Sequence, residues 1–224
     1  MKNSKLRRAL LLVASAVLLV CVSVGATLAY LVDDDAVTNT FTVGKIYIEL
    51  DETDSAPLAQ NPNSGDNHKN RDKKNEYHIL PAAEFVKDPI VWVQDGSEKA
   101  YLFIKVENQI AAIEANEENK DTVAEQIVAN GWTQLEANGN TTVYYKIFDP
   151  TATKTDANFN VDWKFPTFEK VWITSEINSD ALAAYDKTEI NVTAYAIQYD
   201  GFKEENGVSA VQNAWNALQA QINP

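Results

Sequence analysis

The sequence is poor in cysteine, with one residue, Cys21, in 224. Cys21 lies inside a long apolar run near the start of the chain, and Val20 stands where a lipidation signal would need a small residue. The rest of the chain can form no disulfide, so its stability must come from core burial and sheet pairing. This usage is typical of proteins exported by bacteria with one membrane, whereas small secreted animal domains usually carry disulfides.

Histidine is almost as scarce, with His68 and His78 as the only two. They are ten positions apart and lack the spacing of a helical zinc site. The chain also has no Gly-x-Ser-x-Gly motif and no phosphate-binding Gly-Lys-Ser/Thr motif. A Ser-His-Asp site stays compatible with the composition, but both histidines flank a polar stretch, which favours solvated positions. We therefore predict no enzyme, no catalytic residue and no cofactor.

Clusters of acidic residues are the remaining candidates for metal binding. The segments 33–35 and 51–54 could offer oxygen ligands to calcium. Neither has the ordered ligand spacing and the glycine of an EF-hand loop. Solvated acidic segments are the interpretation that the pattern favours, so no metal site is predicted.

Positive charge is scarce beyond the first thirty residues. The whole chain has 19 Lys and Arg against 32 Asp and Glu, and four of the bases lie before position 30. Without that segment, 15 bases oppose 32 acids, a net charge of −17. A surface of this sign repels nucleic acids and anionic membranes, so we predict neither as a partner.

The amino terminus has the pattern of a signal peptide. Residues 1–8 are basic, and residues 9–29 are apolar without a charge. Thr27 and Ala29 place small side chains at the −3 and −1 positions, which predicts cleavage after Ala29 and a mature chain that begins at Tyr30. The alternative is an uncleaved membrane anchor, because roughly 20 apolar residues also span a bilayer.

The remainder, 30–224, is predicted to be one mainly β domain, a β-sandwich of jelly-roll type with one or two peripheral helices. The segment 51–75 is polar and predicts an exposed loop, and Asp95-Gly96 predicts a hairpin turn between strands 90–94 and 100–107. Helical spacing of apolar residues predicts helices over 110–130 and 208–222. Strands are predicted over 37–50 with a bulge at Gly44, 77–80, 90–93, 100–107, 132–135, 142–148, 167–177 and 189–199.

Four stretches carry a resemblance to a known family. Ala-Thr-Leu-Ala-Tyr-Leu-Val-Asp-Asp-Asp at 26–35 and Thr-Asn-Thr-Phe-Thr-Val-Gly at 38–44 resemble the start of proteins that a SipW-type signal peptidase processes. These include the TasA/camelysin family of Firmicutes. The segments 101–106 and 192–198 are similar to that family in pattern and order.

The resemblance implies a secreted jelly-roll subunit of biofilm-matrix fibres, found in the extracellular matrix or at the cell surface. The SipW-type peptidase would be its processing partner, and self-assembly or related matrix subunits would supply the others. The freed segment Tyr30, Leu31, Val32 and its continuation would be a donor strand for the sheet of the next subunit. Residues 30–36 could instead be a mobile linker. A monomeric surface-binding module and a camelysin-like secreted metalloprotease are the alternative functions.

Overall fold

The computed structural model describes residues 32–34, 45–53, 71–73, 75–152 and 162–222. The predicted leader over 1–29, the bulge at Gly44, most of the loop at 54–70 and His68 lie outside these residues. The elements, in chain order, are β1 (Val32–Asp34), β2 (Ile48–Thr53), β3 (Arg71–Asp72), β4 (Glu84–Val86), β5 (Ile90–Gln94), β6 (Ala100–Asn108), a 3-10 turn (Ala111–Ile113), α1 (Val123–Ala129), β7 (Thr133–Asn138), β8 (Thr141–Phe148), β9 (Asp162–Pro166), β10 (Lys170–Trp172), α2 (Ser179–Leu182), a second 3-10 turn (Ala183–Tyr185), β11 (Ile190–Gln198) and α3 (Ala210–Ile222).

The fold is mainly β, with antiparallel sheets and few helices, as the sequence predicts. Five strands form one sheet in the order β1-β11-β6-β8-β7, and four form a second in the order β3-β2-β5-β9. A short ribbon pairs β10 with β4. The principal core lies between the two larger sheets and draws its buried side chains from both.

Both faces of β6 are buried, each against a different partner. Leu102, Ile104 and Val106 face the principal core, as their spacing predicts. Tyr101 and Phe103 face the other way, into a second apolar cluster with residues of α3. The five-stranded sheet is therefore a central layer with the second sheet on one face and α3 on the other.

The predicted carboxy-terminal helix is confirmed as α3. Its apolar residues recur at helical spacing, so Trp215 and Leu218 share the face that packs on the sheet. The indole N–H of Trp215 donates a 2.8 Å hydrogen bond to Glu136 of β7. This bond satisfies the one polar atom of a side chain that is otherwise buried among Phe103 and Tyr195.

The predicted helix over 110–130 is wrong in extent. Its first part is a single 3-10 turn, and the α-helix begins only at Val123. Thr122 and Glu125 form a reciprocal capping box there, a signal that the sequence carries as Thr-x-x-Glu. The helix ends at Ala129, and Asn130 and Gly131 follow, as the sequence predicts for the carboxy-terminal end.

The predicted hairpin between β5 and β6 is also wrong. The turn at Asp95-Gly96 exists, and both strands are present, but β5 pairs with β2 and β9 while β6 pairs with β11 and β8. The chain crosses here from one sheet to the other. Two hydrogen bonds to residues before β2 stabilise this connection between the sheets. Ser97 Oγ accepts from the N–H of Tyr47, and the N–H of Glu98 donates to the carbonyl of Lys45.

Two other predicted strands differ from the observed ones in position or length. Residues 77–80 have no strand, and the strand of that region is β4, beyond Pro81. The predicted strand over 167–177 reduces to the three residues of β10. β9 is not predicted at all, because it mixes aromatic, charged and proline residues without regular alternation.

The predicted loop over 51–75 is contradicted at both ends. Asp51, Glu52 and Thr53 complete β2, and residues 71–72 return as β3 to pair with it. Asp51 and Glu52 are only 5% and 6% exposed, so this acidic segment is not solvated. The polarity of the segment suggested a loop, but buried partners accommodate these carboxylates, as described next.

Candidate functional site

The edge formed by β11 is the part of the molecule that bears on strand addition. β1 pairs antiparallel with its carboxy-terminal half, with Val32 opposite Ile197 and Asp34 opposite Tyr195. This ladder covers three of the nine residues of β11. Along residues 190–194, the described part of the chain contains no strand on this side, whereas β6 pairs with all nine residues on the other. An antiparallel strand therefore fits this edge, and the edge can accept a strand longer than β1.

Only one of the predicted site residues lies among those described. Ala29, Tyr30 and Leu31, which carry the predicted cleavage and the start of the donor strand, lie outside them. Val32 lies in β1 and pairs with β11. β1 continues through Asp33 and Asp34, so these two acidic positions do not end the strand.

A cleft of about 800 Å³ adjoins the uncovered half of β11. It lies between residues 190–193 on one side and residues 50–52 of β2 on the other, so it opens along the edge where the two sheets face each other. Its apolar walls include Ile79, Phe85 and Val171. The turn that leads into β11 forms part of the rim, where Lys187 has a φ of +60°.

A buried ion pair stands at the β2 side of this cleft. Lys87 Nζ donates to Glu52 Oε2 over 2.6 Å, and both side chains are nearly excluded from solvent. Asn75 Nδ2 donates to Glu52 Oε1 and to the carbonyl of Thr53, both over 2.9 Å. The Glu52 carboxylate thus has a partner for each oxygen, which is the condition for keeping a charge inside a protein.

Two further carboxylates anchor the same strand. Asp51 Oδ1 accepts a 2.9 Å bond from the indole N–H of Trp92 on the neighbouring β5. Asp88 accepts from both the N–H and the hydroxyl of Thr53, over 2.7 and 2.8 Å. These bonds explain why a polar sequence forms the end of a buried strand: side chains distant in the sequence bond to its polar residues.

Tyr77 also lines the cleft, together with Asp51 and Glu52. Its hydroxyl donates to the carbonyl of Val86 over 2.9 Å. Burial raises the pKa of Tyr77, and the nearby charges of Glu52 and Asp88 raise it further, so the phenol stays neutral and keeps its role as a donor.

The acidic residues of this region form no metal centre in the described part of the chain. No group of three or more His, Cys, Asp or Glu side chains there is arranged to hold an ion. His78 is exposed near the cleft, while the Glu52 carboxylate is engaged by a lysine and an amide. What the site offers chemically is backbone hydrogen bonding at an edge, an apolar cleft and a fixed charge pair.

No protein-family model, curated protein or solved structure matches this chain. The resemblance to the TasA/camelysin family therefore rests on the segments quoted above. Within the described residues, no helix has the length and apolar character to cross a bilayer.

Proposed function

We propose that this chain is an exported structural subunit with a jelly-roll fold, which assembles into extracellular fibres by strand addition at the edge of β11. The observation that carries the proposal is the pairing of residues 32–34 with that edge. A segment close to the predicted new amino terminus already has the register and direction that a strand from a neighbouring subunit would need. Cleavage after Ala29 by a SipW-type signal peptidase would release this segment.

The length of the accepting edge supports the proposal. β1 occupies only the last part of β11, and the direction of the pairing carries the residues after Asp34 toward the positions before Tyr195. A longer antiparallel strand on the same register would reach residues 190–194, beside the cleft. Such a strand gains main-chain hydrogen bonds at the edge and can place alternate side chains in the cleft.

An engineered disulfide tests which chain supplies the strand. Asp33 and Ala196 are directly opposed, and opposed residues of antiparallel strands have Cα atoms about 4.5–5.5 Å apart, within the range of a disulfide. In a Cys21→Ser background, Asp33→Cys with Ala196→Cys adds the only two thiols. We expect oxidised filaments to yield a ladder of covalent multimers on a non-reducing gel.

The matched control combines Asp33→Cys with Val192→Cys, four residues away along β11 and therefore about 13 Å from Ala196. This pair should cross-link poorly. Filaments that contain only an internally cross-linked subunit would contradict strand addition between subunits. A chain that starts near Val37 should keep its fold and lose assembly, and unaltered assembly of that chain would contradict the donor segment.

The cleft supports a second candidate function, a monomeric surface-binding module for a glycan or host ligand. A volume of about 800 Å³ with apolar walls and a fixed ion pair falls in the range of ligand sites. Electron microscopy and light scattering separate the two candidates, since filaments favour the subunit and a persistent monomer favours the module. The metalloprotease alternative is tested by assaying proteolysis with and without a chelator.

A further inference from the structure

Three Asn-Gly dipeptides occur in the described chain, at 130–131, 138–139 and 206–207. In this dipeptide the glycine nitrogen can attack the side-chain carboxamide of the asparagine, because glycine has no side chain to obstruct the approach. The three copies share the same local chemistry, so differences in their reactivity must come from the fold. The structure places them in different surroundings.

The reaction itself needs only water. The glycine N–H loses its proton to hydroxide, its nitrogen bonds to the asparagine Cγ, and the carboxamide nitrogen leaves as ammonia. The resulting five-membered succinimide takes up one water at either carbonyl and opens to aspartate or isoaspartate. The balance is asparagine plus water giving an acid plus ammonia, without an oxidant, a cofactor or an enzyme.

The dipeptide at Asn130 is held on both of its reacting groups. The N–H of Gly131 donates to the carbonyl of Val128 over 2.9 Å, so the attacking nitrogen is engaged. The side-chain amide of Asn130 donates to the carbonyl of Thr167, also over 2.9 Å. Lys146 Nζ donates to the Asn130 carbonyl over 2.6 Å and fixes the peptide between the two residues. The hydrogen bonds of both reacting groups must break before the ring can close.

The other two dipeptides lie in exposed turns. Asn138 is the last residue of β7, paired with Thr141, and Gly139 begins the turn of the β7–β8 hairpin; Asn206 and Gly207 form a tight turn closed by the pair Glu205 and Val208. Among the hydrogen bonds of the described residues, none involves the side chain of either asparagine or the N–H of either glycine. A Cβ built on either glycine would meet nothing within 4 Å, so no neighbouring group crowds either glycine on that side.

We propose that Asn138 and Asn206 are sites of spontaneous deamidation in the folded protein and that Asn130 is protected. Each event adds one negative charge to a chain that is already acidic. The isoaspartate product also inserts a methylene into the main chain at a turn. The proposal stands independently of the proposed function, since it depends only on the fold and on exposure to water.

Peptide mapping by mass spectrometry tests the proposal, with the chain incubated in mildly alkaline ¹⁸O-water both folded and unfolded in urea. The heavy oxygen separates new events from earlier ones. In urea, the three dipeptides should react at comparable rates because their chemistry is the same. In the folded chain, we expect Asn130 to react roughly thirty-fold more slowly than the other two, the factor that two hydrogen bonds of ordinary net strength supply.

Asn138→Gln and Asn206→Gln, made separately, assign each mass change to its residue and should leave the reaction at the other site unchanged. Equal rates at all three positions in the folded chain would overturn the proposal. So would equal protection of all three relative to urea, because reaction would then proceed only through global unfolding.

Discussion

The two lateral edges of the molecule are built in opposite ways. At one edge, α1 and the residues that follow it bond to the backbone of 166–170, so the gap between the sheets is closed by side chains. At the other edge, β11 faces β2 across a cleft, and the described residues of β1 cover three residues of β11. In the described residues, side chains therefore bridge the two sheets at one edge, whereas three of the nine residues of β11 have a strand beside them at the other.

The closed edge depends on polar side chains that reach backbone atoms distant in the sequence. Gln126 alone donates to the carbonyl of Lys170 and accepts from the N–H groups of Glu169 and Lys170. Trp132 donates to the carbonyl of Pro166 over 2.8 Å. These contacts hold the backbone at the end of β9 and beyond it, residues 166–170, against α1 and the residues after it. Among the described residues, β1 pairs with the end of β11 and no strand lies beside residues 190–194, which makes that edge the candidate for assembly.

The largest expected effect is at Trp132 on the closed edge. Trp132→Ala removes a side chain that is 2% exposed together with its bond to Pro166, and we expect it to lower the free energy of unfolding by about 3–5 kcal/mol. Urea unfolding measures this. The matched change at the open edge is Val192→Ala, which is half-buried and should cost about 1 kcal/mol. Similar losses at both positions would remove the contrast between the edges.

The ion pair at the cleft should have the next largest effect. Lys87→Met leaves the buried Glu52 carboxylate without its counter-charge, and we expect a loss of about 3 kcal/mol. Adding Glu52→Gln to that variant should recover much of the loss, because no buried charge then remains uncompensated. A double-mutant cycle by urea unfolding checks both values. Additive losses would indicate that the two groups do not interact.

Gln126 tests the closed edge with less disturbance of the core. Gln126→Ala removes its bonds to the backbone of residues 169–170, and we expect a loss of about 2 kcal/mol in unfolding free energy. Val128→Ala, at an exposed position of the same helix, is the control and should change stability by less than about 0.5 kcal/mol. Equal changes in unfolding free energy for the two variants would mean that the hydrogen bonds of Gln126 contribute nothing beyond helix propensity.

The smallest expected effect is a pH dependence from Glu114, next to α1. Burial raises the pKa of Glu114, although bonds from Asn108 and from the N–H of Val123 oppose the shift. With the folded pKa above the unfolded one, the folded state holds more protons, and stability falls as the pH rises through the window between those values. Glu114→Gln should reduce the change of the urea midpoint with pH across that window. A midpoint that rises with pH in the parent and is unchanged by the variant would contradict this assignment.

Patterns of apolar residues predicted much of this architecture, because they report which faces are buried. The alternation in β6 and β11 and the helical spacing in α3 placed Leu102, Ala194 and Trp215 in the core. The same patterns could not say which strands pair. Both faces of β5 and β6 are buried, so a turn between them suits a hairpin and a crossing between sheets equally well.

The polar residues were the least predictable from the sequence. Asp51 and Glu52 suggested a solvated loop, since their partners Trp92 and Lys87 lie 41 and 35 positions away. The sequence predicts that Val32 belongs to a donor strand for the next subunit, and within this single chain it pairs with Ile197. Which chain supplies the strand during assembly depends on a second molecule, and that part stays a prediction.

Hydrogen exchange along β11 tests the central claim most directly. Mass spectrometry would compare amide exchange in residues 190–198 between the monomer and the assembled form, with β7 at the closed side as the internal reference. Strand addition predicts that exchange in 190–194 slows on assembly while β7 changes little. Exchange in 190–194 that is equally fast in both states would contradict the account.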